Sequence, residues 1–285
     1  LKLNPHTVLL TGLPRAGTTL SCNILNNHEN VLALMEPMTP SAFDPEKGAL
    51  AAVAFIREFA ANTREMALHQ GKVLSRQKEG VVPENPVAYE AIAGQLRQPE
   101  TSLGLIDVRQ RVKNAEFTLV IKHNALFSAL LPDLRASFPV YGIVRNPLAV
   151  LASWNSVDLP VNNGHIPAGE MFAPELRAVL AEIPDPIDRQ LHILEWFCTN
   201  FVRYLPEKII RYEDFVVNPS IVGRAMGLES AYMGSIQSRK SRNDGYDVVL
   251  MESLCRRLLN YGEAIWSFYT RDQVNELMDS IRRAV

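Results

Sequence analysis

Thr7-Val-Leu-Leu-Thr-Gly-Leu-Pro-Arg-Ala-Gly-Thr-Thr-Leu20 reads as a buried strand, a glycine-containing loop and the first turn of a helix. In that order the backbone N–H groups of the loop point at one spot, and the helix dipole adds partial positive charge there. An anion belongs at that spot. The loop has the spacing Gly12-x-x-x-x-Gly17, but Thr18 and Thr19 follow where a nucleoside triphosphatase has Lys and Ser or Thr. A lysine on the β- and γ-phosphates and a hydroxyl on magnesium serve a metal-bound triphosphate. Arg15 with two threonines suits a smaller, metal-free anion.

A second segment, Val140-Tyr-Gly-Ile-Val-Arg-Asn-Pro-Leu-Ala-Val-Leu-Ala-Ser-Trp154, is expected to be a buried strand ending at Arg145. Asn146 then serves as N-cap and Pro147 takes the first helical position. Ser153 lies eight residues after Arg145, about two turns into the helix, and looks back along the same crevice. Arg145 and Ser153 together make a second phosphate site.

Jointly these residues resemble the sulfotransferases that use 3′-phosphoadenosine 5′-phosphosulfate (PAPS) and release 3′-phosphoadenosine 5′-phosphate (PAP). The resemblance implies that Arg15, Ala16, Gly17, Thr18 and Thr19 hold the 5′-phosphosulfate and that Arg145 and Ser153 hold the 3′-phosphate. A third element of that family, a strand running into Arg-Tyr-Glu-Asp with Asn-Pro after it, stands here as Ile209-Ile-Arg-Tyr-Glu-Asp-Phe-Val-Val-Asn-Pro219, which puts Tyr212 in the binding set. The family also has a basic C-terminal loop over the 3′-phosphate, for which Arg239 and Arg242 in Ser-Ile-Gln-Ser-Arg-Lys-Ser-Arg-Asn-Asp-Gly245 are the candidates. The resemblance runs from about residue 8 to residue 243, with weak stretches at 44–115 and 158–190.

Sulfuryl transfer needs in-line positioning and charge stabilisation on the departing phosphate, a task for Arg15 and Lys122, and a base near the acceptor proton. Two bases are candidates. Glu36 ends Val31-Leu-Ala-Leu-Met-Glu36, and its distance from Arg15, with His28 between, resembles the branch containing tyrosyl-protein sulfotransferases. His123 in Val120-Ile-Lys-His-Asn124 precedes Arg145 by the interval found for the base histidine of cytosolic small-molecule sulfotransferases. That branch reads Lys-Thr-His, whereas Lys122 adjoins His123 directly, so Glu36 is favoured. The rival readings are a P-loop kinase, which would need lysine at position 18, and a nucleotide-binding protein without sulfotransferase activity. Sugar, lipid, polyketide, small alcohol and peptide tyrosine all remain open as acceptors.

The whole chain fits one α/β domain of 285 residues. Strands are expected at 7–11, 31–35, 118–122, 140–144 and 208–211, alternating with helices. That alternation implies a three-layer α/β fold, a mostly parallel central sheet with helices on both faces, to which the resemblance adds a P-loop-like phosphosulfate-binding loop. Ligands of such sheets lie beyond the strand C-termini, where Gly12, Glu36, His123, Arg145 and Tyr212 all fall.

Two insertions, about 45–115 and 156–173, are assigned to acceptor binding. The first is expected to hold one or two helices, packed through Leu50, Val53, Ala54, Phe59, Met66 and Leu68, followed by a proline-broken link. The second, with Pro160, Gly164, Pro167 and Gly169, is expected to be a long surface loop. The stretch 186–204 is expected to be a core helix with its stripe at Ile187, Leu191, Leu194, Phe197, Cys198, Phe201 and Val202, and Trp266 and Phe268 are expected to bury the last helix.

With 29 Lys and Arg against 31 Asp and Glu, the net charge is −2, so no general attraction to nucleic acid or anionic membranes is expected. No apolar run approaches a membrane span, the N-terminus lacks a signal-peptide pattern, and three widely spaced cysteines suit free thiols in a reducing compartment, hence a soluble cytoplasmic protein. A start at Leu1 rather than Met is expected of a trimmed chain or a piece of a larger polypeptide.

Overall fold

The computed structural model describes residues 6–90, 95–228, 232, 234 and 247–283. Strands β1 (Thr7–Gly12), β2 (Val31–Met35), β5 (Thr118–Lys122), β6 (Val140–Val144) and β7 (Ile209–Arg211) form one parallel sheet in the order β2-β5-β1-β6-β7. All five lie where the sequence pattern put them. Every residue of β1 and β2 is buried. Because successive side chains point to opposite faces, uninterrupted burial means that both faces of these strands are covered. The strand order reverses around β1: the chain moves to β2 on one side, returns through β5, and crosses β1 to β6. That switch point leaves a crevice beyond the strand C-termini.

Helix α1 (Thr18–Leu25) starts at Gly17, whose φ of 89° is left-handed. A Cβ there would also sit 2.5 Å from Cδ2 of Tyr212, so glycine is required twice over. Helix α5 (Pro147–Trp154) begins as the sequence predicted, with proline at its first turn and the Asn146 side chain accepting from the Leu148 N–H at 3.1 Å.

The first insertion differs from expectation. Helix α2 (Gly48–His69) packs through Ala52, Val53, Ile56, Ala60 and Ala67, while Leu50 and Leu68 are exposed. Alanines around Val53 and Ile56 make up most of the apolar stripe, Phe59 and Met66 pack at its margin as expected, and Ala54 is exposed. After it come β3 (Lys72–Gln77) and β4 (Ser102–Asp107), a two-stranded antiparallel sheet with no counterpart in the sequence prediction. Its strands are only partly buried, and the 24 residues between them hide the pairing from local pattern. Buried Ser75 docks this unit on β2, its hydroxyl accepting from the Met35 N–H at 3.0 Å. That bond satisfies a backbone donor on what is otherwise an edge strand.

The second insertion is not a free surface loop. Val157, Val161, Ile166 and Ala173 are buried, and two short helical turns, Pro160–Asn163 and Pro167–Glu170, shape it. Its start pairs with the first insertion: Arg97 N–H donates to Ser156 O at 3.1 Å, and Asp158 N–H donates to Arg97 O at 3.0 Å.

Helix α8 (Pro186–Tyr204) matches its predicted span, with an Asp185 cap, but Val202 is 47% exposed and falls outside the stripe. In the last third Ile265 and Tyr269 are buried, while Trp266 and Phe268 are only half-buried. Both pack at the margin of the core, and Trp266 also lies under the guanidinium of Arg271, the first residue of the last helix, at 4.4 Å. Cys22, Cys198 and Cys255 are buried free thiols. Among the described residues no helix is long and apolar enough to cross a membrane.

Candidate active site

A cavity of about 820 Å³ opens beyond the strand C-termini. Arg15, Gly17, Thr18, Thr19, Glu36, Lys122, His123, Arg145, Ser153 and Tyr212 all line it. Ala16 is fully buried behind the loop. Arg239 and Arg242 lie outside the described residues.

The loop between β1 and α1 is held from three directions. Leu13 N–H donates to Ile143 O at 3.0 Å. Arg145 donates from a terminal guanidinium nitrogen to Arg15 O at 3.3 Å, and the buried Trp154 donates its indole N–H to Pro14 O at 2.7 Å. Arg15 itself donates through Nε to Ser153 Oγ at 3.2 Å and through a terminal nitrogen to Asn85 Oδ1 at 3.1 Å. The segments around Arg15 and Arg145, 130 residues apart in sequence, are thus one bonded unit.

The Arg-Tyr-Glu-Asp segment braces that unit from the side. The Arg145 guanidinium lies 4.5 Å from the centre of the Tyr212 ring. Glu213 accepts from the Asn146 N–H at 3.0 Å and from the hydroxyl of buried Tyr269. It thereby fixes the chain immediately after Arg145. Burial and the adjoining Glu213 carboxylate push the Tyr269 hydroxyl well above the usual phenol range, so it stays a donor.

At the other end of the cavity β2 and β5 deliver Glu36, Lys122 and His123. Glu36 continues the β2–β5 ladder, its N–H donating to Lys122 O at 2.8 Å. Its carboxylate takes a hydrogen bond from Lys122 Nζ at 2.8 Å and faces Arg76 Nε at 3.8 Å. Burial opposes ionisation, yet Lys122, His123 and Arg76 outweigh it and hold the carboxyl down at about 2. Lys122 is 2% exposed, whereas the Glu36 side chain is 31% exposed and reaches the open space.

His123 is buried, its ring edge-on to Phe127 and its Nε2 accepting from the Met38 N–H at 3.3 Å. Burial, together with Lys122 and Arg76 and against the pull of Glu36, lowers it to about 4. It is a neutral imidazole at ordinary pH.

Arg15 (φ 67°) and Glu36 (φ 40°) are two of the five non-glycine residues with positive φ among the described residues. Such backbone costs roughly 1–3 kcal/mol and is concentrated at functional sites. The remaining wall comes from both insertions: Val87, Tyr89, Arg97 and Leu103 from the first, Leu159, Val161 and Ile166 from the second. Sequence reasoning did not single out Arg76, Asn85 or the fastening role of Trp154. Arg76 and Asn85 reach the site only because the hairpin folds onto β2, and no local motif signals that.

No protein-family model matches the chain, and no curated protein matches it. Among solved structures the chain is similar to a sulfotransferase from Mycobacterium tuberculosis, with 15% sequence identity and a TM-score of 0.35 over 88% of this chain and 76% of that one.

Proposed function

We propose that this protein is a sulfotransferase that moves a sulfuryl group from PAPS to a hydroxyl or amine. One observation carries the reading: Arg15, Arg145 and Ser153, drawn from two distant segments, bond to one another at one end of a cavity whose other end holds Lys122 and Glu36. Two anion-binding elements beside a cation and an exposed carboxylate are what this transfer requires.

In the proposed reaction Arg15, Thr18, Thr19 and the loop N–H groups hold the 5′-phosphosulfate, and Arg145 and Ser153 hold the 3′-phosphate. The acceptor oxygen forms a bond to sulfur while the bond from sulfur to the 5′-phosphate oxygen breaks, and PAP leaves with that electron pair. Arg15 and Lys122 stabilise the growing phosphate charge, and Glu36 takes the acceptor proton. Glu36 is preferred to His123 because it is ionised and open to the cavity, while the histidine is buried with Nε2 already engaged. The insertions form the acceptor wall. Thr18, where a triphosphatase has lysine, supports donor binding without a metal.

Calorimetric titration with PAP in the absence of metal, followed by labelled sulfate transfer from PAPS across alcohols, phenols, sugars and tyrosine peptides, tests the proposal. A preference for magnesium–ATP over PAP would replace it with a kinase or nucleotidase. PAP binding without transfer to any acceptor would leave a nucleotide-binding protein.

A further inference from the structure

We propose that Asn85, from the loop between β3 and β4, is a positioning residue that sets the Arg15 guanidinium at the donor end of the cavity; the proposal rests on the sulfotransferase reading. Arg15 donates from two different nitrogens of its planar group, through Nε to Ser153 and through a terminal nitrogen to Asn85. Two bonds in one plane fix the orientation of a guanidinium in a way that one cannot. Ser153 belongs to the helix of the second phosphate site, so Asn85 is the contribution of the inserted unit.

The acceptor at position 85 is itself held. Asn85 Oδ1 also accepts from the Val87 N–H at 3.4 Å. The far end of the same loop is stitched to the start of the second insertion, just after α5, by the two backbone bonds around Arg97 and by Arg97 donating to Ser156 Oγ at 2.6 Å. The loop that walls the acceptor side is thus fastened at one point to the donor end, through Asn85, and at another to the second insertion.

The residue type carries the rest of the inference. A carboxylate at position 85 would form an ion pair with Arg15 and compete with the phosphosulfate for its charge. A neutral amide oxygen orients the guanidinium without neutralising it.

The test measures PAP affinity by calorimetry for Asn85→Ala and Asn85→Asp, each with Arg15 intact and in an Arg15→Ala background. With Arg15 intact, Asn85→Ala is expected to weaken PAP about three- to tenfold, and Asn85→Asp at least tenfold more than that. In the Arg15→Ala background the two variants should bind PAP within about threefold of each other. A penalty for Asp that is equal in both backgrounds, or no penalty in either, overturns the proposal. Thermal unfolding of the Arg15→Ala, Asn85→Ala and double variants reads the contact without any ligand, and strictly additive shifts also overturn it. If the unaltered protein binds no PAP, the sulfotransferase reading falls and takes the donor role of Asn85 with it. If PAP binds but the variants fail these criteria, only the Asn85 proposal falls.

Discussion

Glu36 and Lys122 are joined twice, once through the backbone, where Glu36 N–H meets Lys122 O at 2.8 Å, and once through the side chains, where Lys122 Nζ meets Glu36 Oε1 at 2.8 Å. The backbone bond extends the β2–β5 ladder by one residue beyond Met35. It therefore sets both side chains at the same height above the sheet. A buried ammonium and a half-exposed carboxylate at that height are suited to opposite tasks, charge stabilisation and proton acceptance.

Glu36→Gln is expected to lower sulfuryl transfer to the acceptor found by screening about 100- to 10,000-fold, the usual range for a general base. PAP affinity should stay within a few-fold, because the amide oxygen can still accept from Lys122. His123→Ala should cost less turnover. Single-turnover transfer and PAP calorimetry on both variants decide the matter, and full activity in Glu36→Gln with none in His123→Ala would reverse the assignment.

Arg145→Ala should weaken PAP about 10- to 100-fold, corresponding to roughly 1.5–3 kcal/mol for a charge-assisted contact. Adenosine 5′-phosphosulfate, which lacks the 3′-phosphate, should lose far less. Equal losses for the two nucleotides would mean that Arg145 serves the loop through its bond to Arg15 O rather than the 3′-phosphate.

Glu213→Ala removes the acceptor for the Asn146 N–H and for the Tyr269 hydroxyl. Each buried donor left unsatisfied costs about 1–3 kcal/mol, so chemical denaturation should show a loss of several kcal/mol. PAP affinity should fall as well, because Asn146 adjoins Arg145. Unchanged stability would show that water replaces the carboxylate at both donors.

Acid should destabilise the fold in two steps. His123 is lowered from 6.5 to about 4 in the folded chain, so the unfolded chain binds the extra proton between those values and stability falls as pH drops through that window. Glu36 is lowered from 4.5 to about 2, so its contribution is complete above 4.5 and is lost as pH falls towards 2. The histidine step amounts to up to roughly 3 kcal/mol. Melting temperature against pH for the unaltered protein and for His123→Gln checks this. The substitution should flatten the curve between pH 6.5 and 4, and a curve of unchanged shape would show that His123 titrates as an ordinary histidine.

The sheet was legible from sequence because four of its five strands are almost wholly buried, so each of these appears as a mainly apolar run bounded by glycine, proline or charge. Strand C-termini in such a sheet share one edge, which is why the apolar pattern alone assigns Gly12, Glu36, His123, Arg145 and Tyr212 to one crevice. Local chemistry also settled the turn at Gly17 and the cap at Asn146. The tertiary structure alone decided which side chains pair. The Arg15–Ser153 bond, the ion pair of Lys122 with Glu36, and the engagement of His123 by Met38 are contacts between segments 85 to 138 residues apart, and pairing at that range leaves no trace in local periodicity. The β3–β4 hairpin is the extreme case. Its strands are half-exposed and far apart in sequence, so neither burial pattern nor turn chemistry announces them, yet their docking on β2 through Ser75 is what brings Arg76 to the carboxylate and Asn85 to Arg15.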